Sequence, residues 1–185
     1  KPRIAFLGTG LMGQPMARRL LDLGYSLLAY NRTREKAEAL RSAGAKIVET
    51  PTEAIREADC GILMLAHAPA IRDVICSEEV RSELSECTVI QMGTIGSSES
   101  CAFEKEVQAS GGSYFEAPVL GSIPQVNEGS LIVMVGASSE QFEYWSDLLK
   151  CFGPNPLLVG QVGKAATLKL ALNQLIASLT VSFSL

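Results

Sequence analysis

Arg3-Ile4-Ala5-Phe6-Leu7-Gly8-Thr9-Gly10-Leu11-Met12-Gly13 opens the chain and decides its fold. Ile4 to Leu7 form an apolar run that leads straight into Gly-x-Gly-x-x-Gly. Met12, Met16, Leu20 and Leu21 follow at helical spacing, with Ala17 between them. The stretch reads as a buried strand, a tight glycine turn and a helix N-terminus in one unit. Each glycine has its own task. Gly8 makes the turn, Gly10 lets the backbone approach a pyrophosphate, and Gly13 lets helix and strand pack closely. The helix start offers unpaired N–H groups and the positive end of its dipole to phosphates. Without the flanking strand and helix, the same glycines would describe only an ordinary turn.

Outward from this unit the pattern repeats. Strands are expected at Ser26–Tyr30, Lys46–Val48, Cys60–Leu65, Thr88–Met92, Ser113–Glu116 and Leu131–Val135. Cys60–Leu65 is apolar throughout, as a strand buried on both faces should be. Helices are expected from Asn31-Arg32-Thr33 through Arg41, closed by Gly44, and from Pro51 with Thr50 as N-cap. Further helices are expected at Ala70–Cys76, Glu78–Leu84, Ser97–Ala109 and Ser138–Lys150. Alternating strands and helices predict an α/β fold, a doubly wound and mostly parallel sheet of Rossmann type.

The final stretch differs. Lys164 to Leu185 contains no glycine or proline, and Leu168, Leu172, Leu175, Leu179 and Phe183 recur at helical spacing. An apolar helix without a closing cap needs a partner surface. The expected organisation is a dinucleotide-binding domain over residues 1–160. Residues 161–185 then begin an interdomain helix that leads to an all-helical second domain outside this chain.

Composition narrows the function. The chain has 185 residues, 47% of them hydrophobic and 19% charged, as a globular protein does. A net charge of -4 argues against a nucleic-acid surface. No run of eighteen or more apolar residues occurs, so no membrane span is expected. Five scattered cysteines (Cys60, Cys76, Cys87, Cys101, Cys151) form no CxxC pair. They read as free thiols in a reducing cytoplasm, and no metal-ligand spacing is present.

The second strand ends at Asn31, where many dinucleotide-binding sequences carry an acidic residue for the adenosine ribose. A carboxylate would repel a 2′-phosphate. A neutral amide followed by Arg32, Thr33 and Arg34 would bind one, so the expected cofactor is NADP.

Four blocks together resemble the β-hydroxyacid dehydrogenases, the group of 3-hydroxyisobutyrate dehydrogenase, tartronate semialdehyde reductase and the glyoxylate/succinic semialdehyde reductases. They are Gly8–Ala17, Met92–Ile95, Glu116–Ser122 with Gly129 and Leu131–Gly136, and Val162–Asn173. The resemblance implies hydride transfer between a nicotinamide and a small β-hydroxy acid, semialdehyde or keto acid. It implies Lys169 as general acid and base, with Asn173 one turn on holding the substrate. Gly8, Thr9, Gly10, Leu11, Met12, Gly13, Asn31, Arg32, Thr33, Leu65, Ala66 and Thr94 would bind the cofactor. Thr94, Gly121 and Ser122 would meet the substrate, the last two through N–H and hydroxyl donors. A homodimer or tetramer is implied too.

Two positions depart from the family pattern. Leu120 stands where a serine is common, and Gly93 where a serine precedes Thr94. Both changes remove polar groups near the substrate. They keep open a reductase of bulkier or imine substrates, or a binding module without catalysis. His67 is expected to flank the cleft, Trp145 to lie in the core, and Glu99, Glu104 and Glu106 to form a solvated helix face.

Overall fold

A computed structural model describes residues 1–184. In chain order the elements are β1 (Arg3–Leu7), α1 (Gly13–Asp22), β2 (Ser26–Tyr30) and α2 (Arg34–Glu38). A 3₁₀ turn at Arg41–Ala43 precedes β3 (Lys46–Ile47), α3 (Pro51–Arg56), β4 (Cys60–Leu63), α4 (Ala68–Ile75) and α5 (Glu78–Arg81). Then come β5 (Thr88–Gln91), α6 (Ser97–Ala109), β6 (Ser113–Glu116), β7 (Val119–Leu120) and α7 (Ile123–Glu128). The remainder is β8 (Ile132–Gly136), α8 (Ser139–Leu149), β9 (Leu157–Gly160) and α9 (Lys164–Phe183).

The strands form one sheet in the order β3-β2-β1-β4-β5-β6-β8-β7, with β9 on the other side of β8. Pairings from β3 to β6 are all parallel. The order reverses between β1 and β4, which opens a crevice at the carboxyl ends of these strands. Alternation along β1 splits its side chains between two apolar layers. Ile4 and Phe6 pack with Met16 and Leu20 of α1, whereas Ala5 and Leu7 pack with Ile55 of α3 and Ile71 of α4. All four strand residues are fully buried, so each large one contributes roughly 1.5–3 kcal/mol of apolar burial. A charge at Phe6 would break both the layer and the turn that follows.

The far side of the sheet departs from expectation. β8 runs antiparallel to β6 and β7 in one continuous register, Glu116↔Gly136, Val119↔Val133 and Leu120↔Ile132. β6 and β7 are thus one strand interrupted at Pro118, which has no N–H to give. The helix expected through Arg41 instead ends at Glu38, and the chain turns at Gly44 in the left-handed region. Trp145 is buried as expected. The glutamates do not form a bare solvated face. Glu106 pairs with Arg72 and Arg81, and Glu99 accepts the Gly96 N–H at 2.7 Å.

Helix α9 begins against the sheet, with Ala165, Ala166 and Lys169 buried, and then leaves it. Leu175, Ile176, Leu179 and Phe183 are exposed. Its twenty residues, with a mean hydropathy of 1.2 over an 18-residue window, meet the length and apolarity of a membrane span by composition alone, because polar residues interrupt the apolar ones without lowering the average below that of a span.

Candidate functional site

The three glycines divide their work as their surroundings dictate. Gly8 has φ of 103°, and a Cβ there would lie 2.5 Å from the Met64 carbonyl oxygen. A Cβ on Gly13 would lie 1.9 Å from the Gly8 carbonyl oxygen, so helix and strand meet backbone to backbone. Gly10 is different: among the described residues, its two chain neighbours aside, no atom lies within 4 Å of the place a Cβ would take. That open space borders a cavity of about 420 Å³ at the carboxyl ends of β1, β2 and β4. Ten of the predicted cofactor residues line it: Gly8, Gly10, Leu11, Met12, Gly13, Asn31, Arg32, Thr33, Leu65 and Ala66. A wider hollow of about 1150 Å³ lies at the opposite ends of the strands, among Lys1, Asp59, Thr88 and Ser113, away from the glycines.

Thr9 is placed differently from the other loop residues. Its side chain is buried and its N–H donates to Asn31 Oδ1 at 3.0 Å. Neither group faces the cavity, so Thr9 shapes the loop and does not present donors. Asn31 Nδ2 donates to the Thr33 carbonyl at 2.9 Å. The amide of Asn31 therefore bridges two loops. Arg32 and Thr33 are exposed at the rim, and Thr33 makes no side-chain cap bond to α2. Lys36, one turn into α2, joins them on the cavity wall. The sequence reading missed Lys36, although its position three residues past Thr33 on a helix start was a usable signal. Arg34 is turned away by Glu38 and Glu49. Among the described residues Arg32 and Lys36 pair with no carboxylate, and an open backbone approach beside them fits the pyrophosphate and phosphate groups of a dinucleotide.

His67, as expected, flanks the cleft. Its Nδ1 accepts the Ala70 N–H at 3.1 Å, which caps α4. Farther along the same edge, a Cβ on Gly93 would lie 2.6 Å from the Leu65 carbonyl oxygen. The departure from serine thus lets the loops after β4 and β5 touch. Thr94, just past this contact, is exposed. It lies outside the 420 Å³ cavity.

Lys169 sits on the inner side of α9 and is only 8% exposed. Burial alone pushes its ammonium below the usual lysine range. Asn173 is exposed one turn on. One of the predicted substrate-binding residues is already engaged: the Ser122 N–H and hydroxyl both donate to Gln125 Oε1, at 2.9 and 2.7 Å. Gly121, with φ of 138°, makes the turn into α7. A substrate carboxylate would have to displace Gln125 to use Ser122, a competition invisible in the motif. Leu120 is half-buried on the β7 edge.

The chain matches the family described as the NAD binding domain of 6-phosphogluconate dehydrogenase over residues 3–162. It is 31% identical over 183 residues to glyoxylate/succinic semialdehyde reductase 2 of Arabidopsis thaliana, covering 98% of this chain and 51% of that protein. It is 33% identical over 181 residues to 2-hydroxy-3-oxopropionate reductase of Escherichia coli, covering 97% of this chain and 61% of that one. An imine reductase from Pseudomonas superposes with a TM-score of 0.92 at 25% identity, covering 98% of this chain and 64% of that one. The chain therefore spans between half and two thirds of the length of these relatives.

Proposed function

Because the chain belongs to the NAD-binding family of 6-phosphogluconate dehydrogenase, with β-hydroxyacid reductases among its relatives, we propose that it is the cofactor domain of an NADP-dependent oxidoreductase of small β-hydroxy acids, semialdehydes or keto acids. Glyoxylate, succinic semialdehyde and methylmalonate semialdehyde define the substrate class. A nicotinamide dinucleotide, when bound, supplies or accepts the hydride. The glycine turn and the start of α1 receive its pyrophosphate, and Arg32, Thr33 and Lys36 receive the 2′-phosphate. Leu65, Ala66 and Thr94 border the nicotinamide end.

The observation that carries the reading is Lys169, a lysine only 8% exposed on the inner side of α9, whose burial pushes its ammonium below the usual lysine range. A lysine so placed gives up its proton nearer neutrality than an exposed one. In reduction Lys169 protonates the carbonyl oxygen as charge develops there, and in oxidation it takes the proton back. Asn173 shares its helix and holds the substrate. The exposed apolar residues of α9 are read as a packing surface for protein, in a dimer or larger homo-oligomer.

The test is NADPH oxidation by the intact gene product with glyoxylate and succinic semialdehyde, NADH alongside. Turnover that prefers NADPH and collapses in Lys169→Ala supports the reading. NADPH binding without turnover on any short acid overturns it. Leu120 favours a second reading, a reductase of imines or bulkier substrates, because an apolar side chain replaces a hydroxyl donor at the site's edge. Turnover of cyclic imines in place of the acids would select it.

A further inference from the structure

Glu116 closes β6 and is almost fully buried, at 1% exposure. Its Oε1 accepts the N–H of Gly163 at 2.8 Å and that of Ala166 at 2.9 Å. These are donors of the first turn of α9, a helix with no side-chain cap of its own. The place is built for the carboxylate. A Cβ on Gly136, across the β6–β8 pair, would lie 2.5 Å from Glu116 Oε1. Gly163 has φ of 93°, and a Cβ on it would lie 2.7 Å from Ser97 Oγ and 2.9 Å from Cys101 Sγ. Two positions without side chains thus let a sheet carboxylate reach a helix start. The negative charge faces the positive end of the helix dipole, where charge-assisted bonds to backbone N–H groups are strongest. Glu104 on α6 and Tyr114 on β6 are the titratable groups that feel the Glu116 charge. Both have their pKa raised, chiefly by burial.

Lys169 lies one turn beyond Ala166 on the same buried side of α9. We propose that Glu116 is a positioning residue for the proton donor: it fixes the height and rotation of the first turns of α9 against the sheet edge, and so the place of Lys169. This rests on Lys169 being the proton donor. The same carboxylate that ends β6 also stands three residues before the β7 edge that carries Leu120, so donor and substrate pocket share one anchor.

The test compares Glu116→Ala, Glu116→Gln and Lys169→Ala in the intact gene product. Four quantities are read: kcat, substrate KM, NADPH Kd by fluorescence, and hydrogen exchange of the Gly163 and Ala166 amides. Glu116→Ala should lower kcat by about ten- to hundredfold, the cost of a displacement of about 1 Å at a reacting group. NADPH Kd and KM should stay within about twofold, since the glycine turn after β1 and the cavity residues Arg32, Thr33 and Lys36 are untouched. A carboxamide accepts more weakly than a carboxylate, so Glu116→Gln should fall between, with kcat tracking amide protection. If Glu116→Ala does not fold, Glu116→Gln decides alone: faster amide exchange with unchanged kcat overturns the proposal. Folded Glu116→Ala with normal kcat also overturns it while leaving Lys169 as donor. Normal turnover in Lys169→Ala removes the donor reading itself and the positioning role with it.

Discussion

The side-chain carbonyl of Asn31 accepts the backbone N–H of Thr9 at 3.0 Å, tying the end of β2 to the glycine turn. Its Nδ2 donates onward to the Thr33 carbonyl, so one amide joins the glycine turn to the loop that opens α2. Asn31→Asp keeps an acceptor for Thr9, loses the donor to Thr33, and adds a negative charge beside Arg32. NADPH affinity should fall at least about tenfold, roughly 1.4 kcal/mol, with NADH affected less. Asn31→Ala should weaken both cofactors together, because it loosens the turn and leaves the charge unchanged. Paired isothermal titrations with NADPH and NADH check this, and equal losses in Asn31→Asp would refute a charge-reading role.

Gly10 and Gly13 make opposite predictions from the same motif. At Gly13 a methyl group meets the Gly8 carbonyl oxygen at 1.9 Å, so Gly13→Ala must push α1 off β1. Overpacking of this kind costs about 1–3 kcal/mol or more, and the melting temperature should drop by several degrees. At Gly10 a methyl group meets nothing. Gly10→Ala should keep its melting temperature and lose NADPH affinity, since only a bound group would occupy that space. Thermal melts with and without NADPH separate the two. A destabilised Gly10→Ala would mean the space is closed in solution.

Much of this was legible in the chain because the signals are local. The glycine spacing, the four-residue apolar run before it and the repeated strand–helix alternation each sit within about a dozen residues. Val119–Leu120 and Leu157–Gly160 were not legible as strands. Two residues give no alternation, and Leu157–Gly160 pairs with a strand more than twenty positions earlier. The antiparallel turn of β8 is likewise a long-range choice. At the site, sequence supplied the residue types and the structure supplied their engagements. Nothing in Glu116-Ala-Pro-Val says that Glu116 caps a helix forty-seven positions on. Nothing in Arg32-Thr-Arg says that Glu38 and Glu49 hold Arg34.

Those engagements separate the three cations that follow β2. Arg32→Ala and Lys36→Ala should each raise NADPH Kd by about ten- to hundredfold, the worth of one charge-assisted bond at roughly 1.5–3 kcal/mol. NADH affinity should change little. Arg34→Ala should leave NADPH affinity within about threefold, because its guanidinium is committed to Glu38 and Glu49. It should instead cost a few tenths of a kcal/mol in stability, as exposed pairs do. A larger NADPH loss in Arg34→Ala than in Lys36→Ala would reverse the assignment.

Burial of Lys169 ties stability to pH with a definite sign. Burial lowers its pKa from the ordinary 10.5, so the folded state binds this proton less well than the unfolded state. Below the lowered pKa both states carry the proton, and the folded state bears the full cost of a buried charge. As pH rises through the lowered pKa the folded protein sheds the proton and the cost shrinks, to vanish above the unfolded value. Lys169→Met should therefore raise the melting temperature near pH 7, and its advantage should fade as pH approaches about 10. The proposed proton transfer adds a rate prediction: with Lys169 as donor in carbonyl reduction the protonated amine would be the active form, so kcat should decline as pH rises through the lowered pKa, and the reverse oxidation should climb. Calorimetric melts of both proteins across that range, alongside the pH profile of kcat, test the two together. A pH-independent gain in Lys169→Met would place its origin in packing, and a flat rate profile would take the proton away from Lys169.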